Sequence, residues 1–242
     1  MNHKHILITG ANRGIGLALA REYLIEREAI VTATCRSPKQ ATDLQALATA
    51  YPETLSIETL EIDDDTSIAA AVHAVEKRKT PIDLLLLNAG TNAKGDQRVN
   101  GIGTIDRAAF RGIIETNAVS QVLTAQAFLP LLRPASGTQA SKVVFMSSQM
   151  GSIDRAMASR VNAYSVSKAA LNMIATEVAR ELRQSGIPVL TMHPGHVATD
   201  MGGPDAPIQP ADSARGIADV ISSATIEDSG RFLDWQGQEL PW

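Results

Sequence analysis

A tyrosine and a lysine, Tyr164 and Lys168, are spaced so that they could act together on a proton. Positions i and i+4 share one face of a helix, so the phenol and the ammonium would lie close to each other. A free phenol has a pKa near ~10, too high for proton exchange at neutral pH, and a nearby positive charge lowers it. The pair is therefore a candidate general acid/base. Taken alone, a half-buried tyrosine beside a solvated lysine is the simpler interpretation.

Short apolar segments alternate with longer helical patterns along the chain. The short segments predict strands at residues 5–9, 30–34, 55–60, 82–87, 142–146 and 188–192, with a last one at 231–234. Most are apolar throughout, which is typical of parallel strands covered on both faces. Helical patterns lie between them at 15–28, 66–79, 110–132, 163–184 and 211–224. This order predicts a single α/β domain over residues 1–242, with a doubly wound parallel sheet flanked by helices.

The composition excludes several classes of protein. The 242 residues are 44% hydrophobic and 20% charged, and their net charge of −4 argues against nucleic acid or an anionic membrane as partner. The apolar stretches are far shorter than the ~18 residues of a membrane span, and no signal peptide precedes the first strand. The single cysteine, Cys35, cannot form an internal disulfide, and no Cys/His cluster has metal-ligand spacing. We therefore expect a cytoplasmic protein without a metal.

A glycine-rich turn connects the first predicted strand to the first helix. It contains Gly10, Asn12, Arg13, Gly14, Ile15 and Gly16. Gly10 allows a tight turn, Gly14 lets the backbone approach a pyrophosphate, and Gly16 permits close packing of helix against sheet. The N–H groups at a helix start attract phosphate oxygens. Such a turn can be merely structural, but its position between a strand and a helix favours dinucleotide binding.

The end of the second strand indicates which dinucleotide would bind. An acidic residue there would bind the ribose 2′-OH of NAD, whereas an arginine accommodates the 2′-phosphate of NADP. This chain has Arg36 and no acid at that point, and Arg13 is a second cation expected to face the same pocket. Both arginines could instead be solvated. Two cations without a competing carboxylate nevertheless predict NADP(H) in preference to NAD(H).

The glycine turn and the Tyr164/Lys168 pair together resemble the short-chain dehydrogenase/reductase family. Further family motifs follow in order, namely Asn88-Ala89-Gly90 after the fourth strand, Asn117 in the central helix, Ser147-Ser148 after the fifth strand and Pro194-Gly195 after the sixth. The resemblance runs from about residue 4 to the C-terminus. Segments 146–153, 164–172 and 193–203 are most similar to the carbonyl-reductase branch that includes the C-factor and sniffer proteins. The resemblance to this family implies a Rossmann fold with a seven-stranded sheet. It also implies that the chain is an NAD(P)-dependent carbonyl reductase or alcohol dehydrogenase.

The resemblance also implies a catalytic role for four residues. Tyr164 would exchange a proton with the substrate oxygen, and Lys168 would lower the pKa of the tyrosine and bind the nicotinamide ribose. Ser148 would hydrogen-bond the substrate oxygen, and Asn117 would support a water-linked proton path to Lys168. Each residue type is also common on surfaces and in helix caps. Their joint occurrence at the ends of the right elements favours catalysis.

Some assignments stay open within this resemblance. The interval between Ser148 and Tyr164 is longer than in many family members, so Ser147 and Ser152 remain alternatives for the serine, although Ser147 should point to the opposite face of the strand. His193 and His196 flank the Pro-Gly turn; we expect the first to end the strand and the second to line the mouth of the pocket.

The remaining cofactor contacts are assigned by the same resemblance. Glu61 and Ile62 match the pair that contacts adenine, although the family usually has Asp at the first position, and Val197 and Thr199 match positions that hold the nicotinamide amide. The full predicted set is Gly10, Asn12, Arg13, Gly14, Ile15, Gly16, Arg36, Glu61, Ile62, Asn88, Ala89, Gly90, Tyr164, Lys168, Pro194, Gly195, Val197 and Thr199.

The substrate and the assembly are less closely specified. We expect a small carbonyl or alcohol substrate, bound by loops at about 91–105, 153–160 and 201–210, and a homodimer or homotetramer formed through helices 110–132 and 163–184. A dinucleotide-binding signalling or regulatory protein of the C-factor type, with little or no turnover, is the alternative. The intact Tyr164/Lys168 pair argues against it, because a protein that only binds a dinucleotide has no need of an acid/base.

Overall fold

The centre of the molecule is a parallel β-sheet. The structure, a computed structural model, describes residues 3–92, 101–133, 141–156 and 161–242. Within these ranges seven parallel strands pair in the order β3-β2-β1-β4-β5-β6-β7. They are β1 (His5–Ile8), β2 (Ile30–Cys35), β3 (Leu55–Thr59), β4 (Leu84–Leu87), β5 (Lys142–Met146), β6 (Val189–His193) and β7 (Phe232–Asp234). The predicted seven-stranded Rossmann sheet is confirmed.

Helices cover both faces of the sheet. They are α1 (Gly14–Arg21), α2 (Thr42–Ala50), α3 (Asp65–Glu76), α4 (Arg107–Ile114), α5 (Ser120–Phe128), α6 (Ala163–Arg183) and α7 (Pro210–Ser223). Leu19 of α1 and Ile217 of α7 pack into the core on one face, while Phe128 of α5 and Leu171 of α6 pack into the core on the other. Both faces of each central strand are therefore buried, which is why these strands are apolar throughout.

Three helical segments differ from those that the sequence predicts. Helix α2 was not anticipated, because its short pattern buries only Leu44 and Leu47. The first helix, predicted over 15–28, ends at Arg21 and continues as a π-helical turn at Glu22–Glu26. The central helix, predicted over 110–132, begins three residues earlier and is divided by a π-helical turn at Glu115–Val119. Hydrophobic periodicity does not detect such a turn, because one inserted residue shifts the pattern only locally.

The sheet order creates a crevice at the carboxyl ends of the central strands. Strand β1 lies between β2 and β4, so the connections leaving β1 and β4 pass to opposite faces of the sheet. In open α/β sheets ligands bind at such a switch point. The glycine turn follows β1, and the Asn88-Ala89-Gly90 run follows β4, so both motifs lie at this crevice.

Candidate active site

A cleft of about 480 Å³ opens at this edge of the sheet. Its walls come from the glycine turn, from the segments that follow β2 to β6, and from the start of α6. Every residue that the sequence assigned to catalysis or to cofactor binding lines this cleft except Asn117, which lies behind its wall. A separate groove of about 540 Å³ between α3 and α5, lined by Asp65, His73 and Glu76 among others, lies apart from these residues.

Helix α6 carries the tyrosine and lysine on one face. The side chain of Asn162 caps the helix by accepting hydrogen bonds from the backbone N–H of Tyr164 at 2.9 Å and of Ser165 at 3.3 Å. This cap places Tyr164 in the first turn of the helix, at the edge of the cleft. Lys168 follows one turn later, with its Nζ 5.8 Å from the centroid of the tyrosine ring. The structure therefore brings the predicted pair together.

Lys168 lines the cleft but is almost completely buried. Its Nζ donates to the carbonyl oxygen of Met146 at 2.8 Å, and only 4% of the residue is exposed. Burial lowers the pKa of Lys168 to about 8, because an ammonium loses hydration there. A Cβ atom at Gly90 would lie 3.7 Å from this Nζ and 3.2 Å from Oδ1 of Asn117. The glycine thus leaves room beside the ammonium at the cleft wall.

Tyr164 differs from the expectation in the direction of its pKa shift. Burial raises the pKa of Tyr164, and a hydrogen bond from the Ser148 hydroxyl opposes the rise by stabilising the phenolate. The expected lowering by Lys168 is not seen, because the lysine donates to Met146 rather than to the phenol and lies beside the ring. A phenol with a raised pKa stays protonated at neutral pH. It is suited to donate a proton to a developing alkoxide.

The structure distinguishes the three candidate serines. Ser148 begins a 3₁₀ turn at Gln149–Gly151, where its Oγ accepts from the backbone N–H of Met150 at 3.2 Å. Its hydroxyl is also the group that lowers the pKa of Tyr164 against the effect of burial. Ser147 also lines the cleft, but its hydroxyl donates to Oδ1 of Asn172 at 2.5 Å. Ser152 accepts from the N–H of Arg155 at 3.1 Å. Ser148 is therefore the serine placed to act with the tyrosine.

Asn117 lies in the π-helical turn between α4 and α5. Its Oδ1 accepts from the backbone N–H of Thr91 at 2.8 Å, and its Nδ2 donates to the carbonyl oxygen of the same residue at 2.8 Å. Nδ2 also donates to Oγ of Ser167 at 3.0 Å, and this serine donates to the carbonyl oxygen of Tyr164 at 2.7 Å. Asn117 thus fixes the chain after β4 against the first turn of α6. Ser167 was missed by the sequence reasoning.

The glycine turn has the shape of a phosphate cradle. Gly10 has a φ of +66°, and a Cβ there would lie 2.9 Å from Cα of Ala89. A Cβ at Gly16 would lie 2.2 Å from the carbonyl oxygen of Gly10. Asn88 braces the turn by donating through Nδ2 to the carbonyl oxygens of Thr9 and Gly10. Helix α1 begins here with no side-chain cap and no acidic residue in its first turn, which leaves its N–H groups open to a pyrophosphate.

The two arginines of the cleft have carboxylate partners, contrary to the expectation. Nη1 of Arg13 lies 2.7 Å from Oδ2 of Asp200, and Nε of Arg36 lies 3.7 Å from Oε2 of Glu61. The premise of no competing carboxylate was wrong, because β3 pairs with β2 and places Glu61 beside Arg36, while Asp200 comes from the loop after β6. Both arginine side chains are mostly exposed, so each pair contributes only about 0–1 kcal/mol. A phosphate could replace either carboxylate.

The segment after β6 closes the cleft beside the site. His193, at the end of the strand, accepts through Nδ1 from the N–H of Gly195 at 3.4 Å, and burial lowers its pKa to about 4. A neutral ring with this pKa does not compete with Tyr164 as the acid at neutral pH. His196 contacts the carbonyl oxygen of Gly202 through Nε2 at 2.9 Å, which helps to shape the turn.

Parts of the predicted substrate loops lie outside the described residues. These are residues 93–100 of the 91–105 loop and residues 157–160 of the 153–160 loop, whereas the 201–210 loop is described throughout. Over the described ranges no group of three or more His, Cys, Asp and Glu side chains could hold a metal ion. The helices in those ranges include none that is long and apolar enough to cross a membrane.

Several known proteins are similar to this chain in sequence and in fold. A family model described as short chain dehydrogenase matches residues 4–208. The C-signal of Myxococcus xanthus is 38% identical over 162 residues, which are 67% of this chain and 93% of that protein. An NADPH-bound carbonyl reductase from chicken fatty liver is 34% identical, and the carbonyl reductase Sniffer of D. melanogaster is 30% identical. Both structures match over 100% of each chain, with a TM-score of 0.90.

Proposed function

Because the chain belongs to the short-chain dehydrogenase/reductase family of NAD(P)-dependent oxidoreductases, we propose that it is an NADPH-dependent carbonyl reductase. A single domain, residues 1–242, would bind the cofactor and carry out the reaction, which converts an aldehyde or ketone to an alcohol or runs in reverse. One observation carries this proposal, namely that Ser148, Tyr164 and Lys168 line the cleft together, with the ammonium of Lys168 5.8 Å from the centroid of the phenol ring.

The side chains of the cleft can deliver a proton to a carbonyl oxygen. NADPH, when bound, supplies the hydride. The phenol of Tyr164 then gives its proton to the oxygen as negative charge develops there. Ser148, whose Oγ is oriented by the N–H of Met150, can donate a second hydrogen bond to the same oxygen. Lys168 is positively charged below about pH 8, and its ammonium lies 5.8 Å from the ring of the phenolate that remains.

The NADP(H) preference rests on the two arginines of the cleft. Arg13 belongs to the glycine turn and Arg36 follows β2, and both line the cleft. In this fold the residue after the second strand binds the ribose 2′-substituent. Their exposed partners, Asp200 and Glu61, can be displaced at small cost. A 2′-phosphate makes charge-assisted hydrogen bonds with guanidinium groups that a 2′-hydroxyl does not offer.

Arg36→Asp is expected to weaken NADPH binding by about 10- to 100-fold, which corresponds to the loss of one charge-assisted contact. NADH affinity should hold or improve, because the new carboxylate can bind the 2′-hydroxyl. Titrating each reduced dinucleotide by its nicotinamide fluorescence gives both constants. Arg183→Asp is a matched control, since this exposed arginine pairs with Glu227 away from the cleft. An unchanged ratio of the two affinities in Arg36→Asp would show that Arg36 does not bind the phosphate.

The activity itself is tested by following NADPH oxidation with a panel of aldehydes, ketones and quinones, and NADP⁺ reduction with the corresponding alcohols. Turnover with at least one compound is expected, and it should disappear in Tyr164→Phe. Binding of NADPH without turnover in either direction would contradict the reductase proposal.

A signalling function is the second candidate, and one observation favours it. The C-signal of Myxococcus xanthus shares 38% of its residues with this chain over the matched region. A dinucleotide-binding signal would need the cradle but not the acid. The panel therefore separates the two functions, because only a reductase loses a measurable rate when the phenol is removed.

We also propose that the chain forms a homodimer or homotetramer through α4–α5 and α6. Large apolar side chains are exposed on these helices, among them Leu123 of α5 and Val166 and Met173 of α6. Contiguous exposed apolar surface is typical of protein–protein contacts. Light scattering on the purified chain measures its mass in solution, and Met173→Glu should shift an oligomer toward the monomer.

A further inference from the structure

We propose that Asn172 is a positioning residue for the reaction, which together with Ser147 fixes Ser148 against the tyrosine. This inference rests on the proposed reductase function. Asn172 follows Lys168 by four residues, so both lie on the face of α6 that packs against the end of β5. It does not line the cleft and cannot touch the substrate, so any effect on catalysis must act through its neighbours.

Asn172 binds the chain on both sides of Ser148. Its Oδ1 accepts from the Ser147 hydroxyl at 2.5 Å, and its Nδ2 donates to the carbonyl oxygen of Gly151 at 3.3 Å. Asn172 is 3% exposed and Ser147 is 2% exposed. Buried polar groups of this kind allow little alternative bonding, so the segment between them has one arrangement. That segment contains Ser148, which lines the cleft beside Tyr164 and whose hydroxyl lowers the pKa of that phenol.

A second set of contacts lies one turn earlier on the helix. Lys168 donates to the carbonyl oxygen of Met146, and a Cβ at Gly151 would lie only 2.7 Å from the carbonyl carbon of Lys168. The chain from Met146 to Gly151 is therefore held to α6 at two successive turns. Asn172 makes the attachment nearer to the C-terminus of α6. Without Asn172, the 3₁₀ turn that follows Ser148 would be held to α6 only at the turn of Lys168.

If the Ser147–Asn172 pair had a purely structural role, its loss would lower stability without a specific effect on the rate of the reaction. Ser141 offers the comparison, because it precedes the opposite end of β5, is fully buried, and donates to the carbonyl oxygens of Ile82 and Arg133 at 3.0 and 2.6 Å. Removing the Ser147 hydroxyl takes a hydrogen bond from Oδ1 of Asn172, and removing the Ser141 hydroxyl takes one from each of its two carbonyl acceptors, so both changes lower stability. Only loss of the Ser147 hydroxyl should also disturb the proton donor.

The test compares Ser147→Ala with Ser141→Ala. Ser147→Ala should lower kcat by about 10-fold or more, because small misplacement of a catalytic group is costly, while the Kd for NADPH stays nearly unchanged. Ser141→Ala should lose comparable thermal stability and keep its kcat. The double variant Ser147→Ala/Asn172→Ala should fall little further than Asn172→Ala alone, since residues of one network are not additive.

The pH dependence supplies a readout that a structural role would not move. The Ser148 hydrogen bond stabilises the phenolate, so its displacement in Ser147→Ala should raise the pKa of Tyr164 and move the pH limb of kcat upward. The same shift can be read without cofactor or substrate, by the ultraviolet absorbance of the phenolate. The chain has three tyrosines, and subtracting the titration of Tyr164→Phe isolates the relevant one.

Two results would overturn the inference. One is a Ser147→Ala protein whose kcat and pH profile match those of Ser141→Ala. The other is an unshifted phenol titration in Ser147→Ala and Asn172→Ala. Failure of the proposed function would be recognised separately, because the wild-type chain would then turn over no carbonyl while the titration of the cofactor-free protein still reported on Ser148.

Discussion

Tyr164→Phe is expected to lower kcat by about 10²- to 10⁴-fold, the range that a positioned general acid contributes. The substitution removes one oxygen and leaves the ring that packs beside Lys168 in place. The glycine cradle and both arginines are untouched, so NADPH should bind with nearly unchanged affinity. The separation of the two effects matters, because a variant that merely unfolds the cleft would lose binding and turnover together.

The measurement is single-turnover NADPH oxidation with the best carbonyl of the panel, beside a fluorescence titration of NADPH. Tyr23→Phe is the matched control. Tyr23 is also buried, its hydroxyl has no hydrogen-bond partner within the described part of the chain, and it lies in the core on the α1 side of the sheet. Its variant should keep its rate. A Tyr164→Phe protein that retains turnover would remove this phenol from the mechanism.

The sequence was sufficient to predict that Tyr164 and Lys168 lie together, because both belong to one regular helix. The spacing of Tyr164 and Lys168 sets their relative position as soon as the helix forms, and Asn162 supplies the cap that starts it. The strands could also be predicted from the sequence. β4 consists of four consecutive leucines, and such a short apolar run is typical of a parallel strand buried on both faces. Regular geometry converts residue spacing directly into distance.

Contacts between distant segments were not accessible in this way. The carboxylate partner of Arg13 lies 187 positions away, and Glu61 meets Arg36 only because β3 pairs with β2. The pKa of Tyr164 depends on how deeply the phenol is buried and on where the ammonium of Lys168 is directed, and spacing specifies neither. Asn117 was found by motif, but the π-helical turn that holds it was not. Each of these features depends on the assembled tertiary structure.

Lys168→Met should make the protein less active and more stable at neutral pH. The folded pKa of Lys168 is about 8, against 10.5 in the unfolded chain. Below pH 8 both states carry the proton, so the full cost of burying the charge, on the order of 3 kcal/mol, is present in the wild type. Methionine does not bear this cost, although it gives up the charge-assisted hydrogen bond to the carbonyl oxygen of Met146, worth about 1.5–3 kcal/mol. A net gain of up to about 1.5 kcal/mol is expected at pH 7.

The gain should disappear as the pH rises. Between pH 8 and 10.5 the unfolded wild-type chain binds more protons than the folded one, so wild-type stability increases with pH and approaches that of the variant. Urea unfolding at pH 7 and near pH 10 measures the difference. Lys142→Met is the control for activity, because this partly buried lysine also donates to a backbone carbonyl, that of Ile221, but lies outside the cleft. Its turnover should persist, whereas Lys168→Met should lose most of its kcat.

A Lys168→Met protein that is less stable than the wild type at pH 7, by a margin that does not change with pH, would contradict the argument. It would mean that the ammonium is well solvated in the folded state and that its hydrogen bond to Met146 dominates. A Lys168→Met protein that is more stable than the wild type at pH 7, but not near pH 10, would identify Lys168 as a residue retained for its charge despite its cost to stability. The pKa of Tyr164 is itself raised by burial, so a positive charge beside its ring is useful only when the phenol has given up its proton.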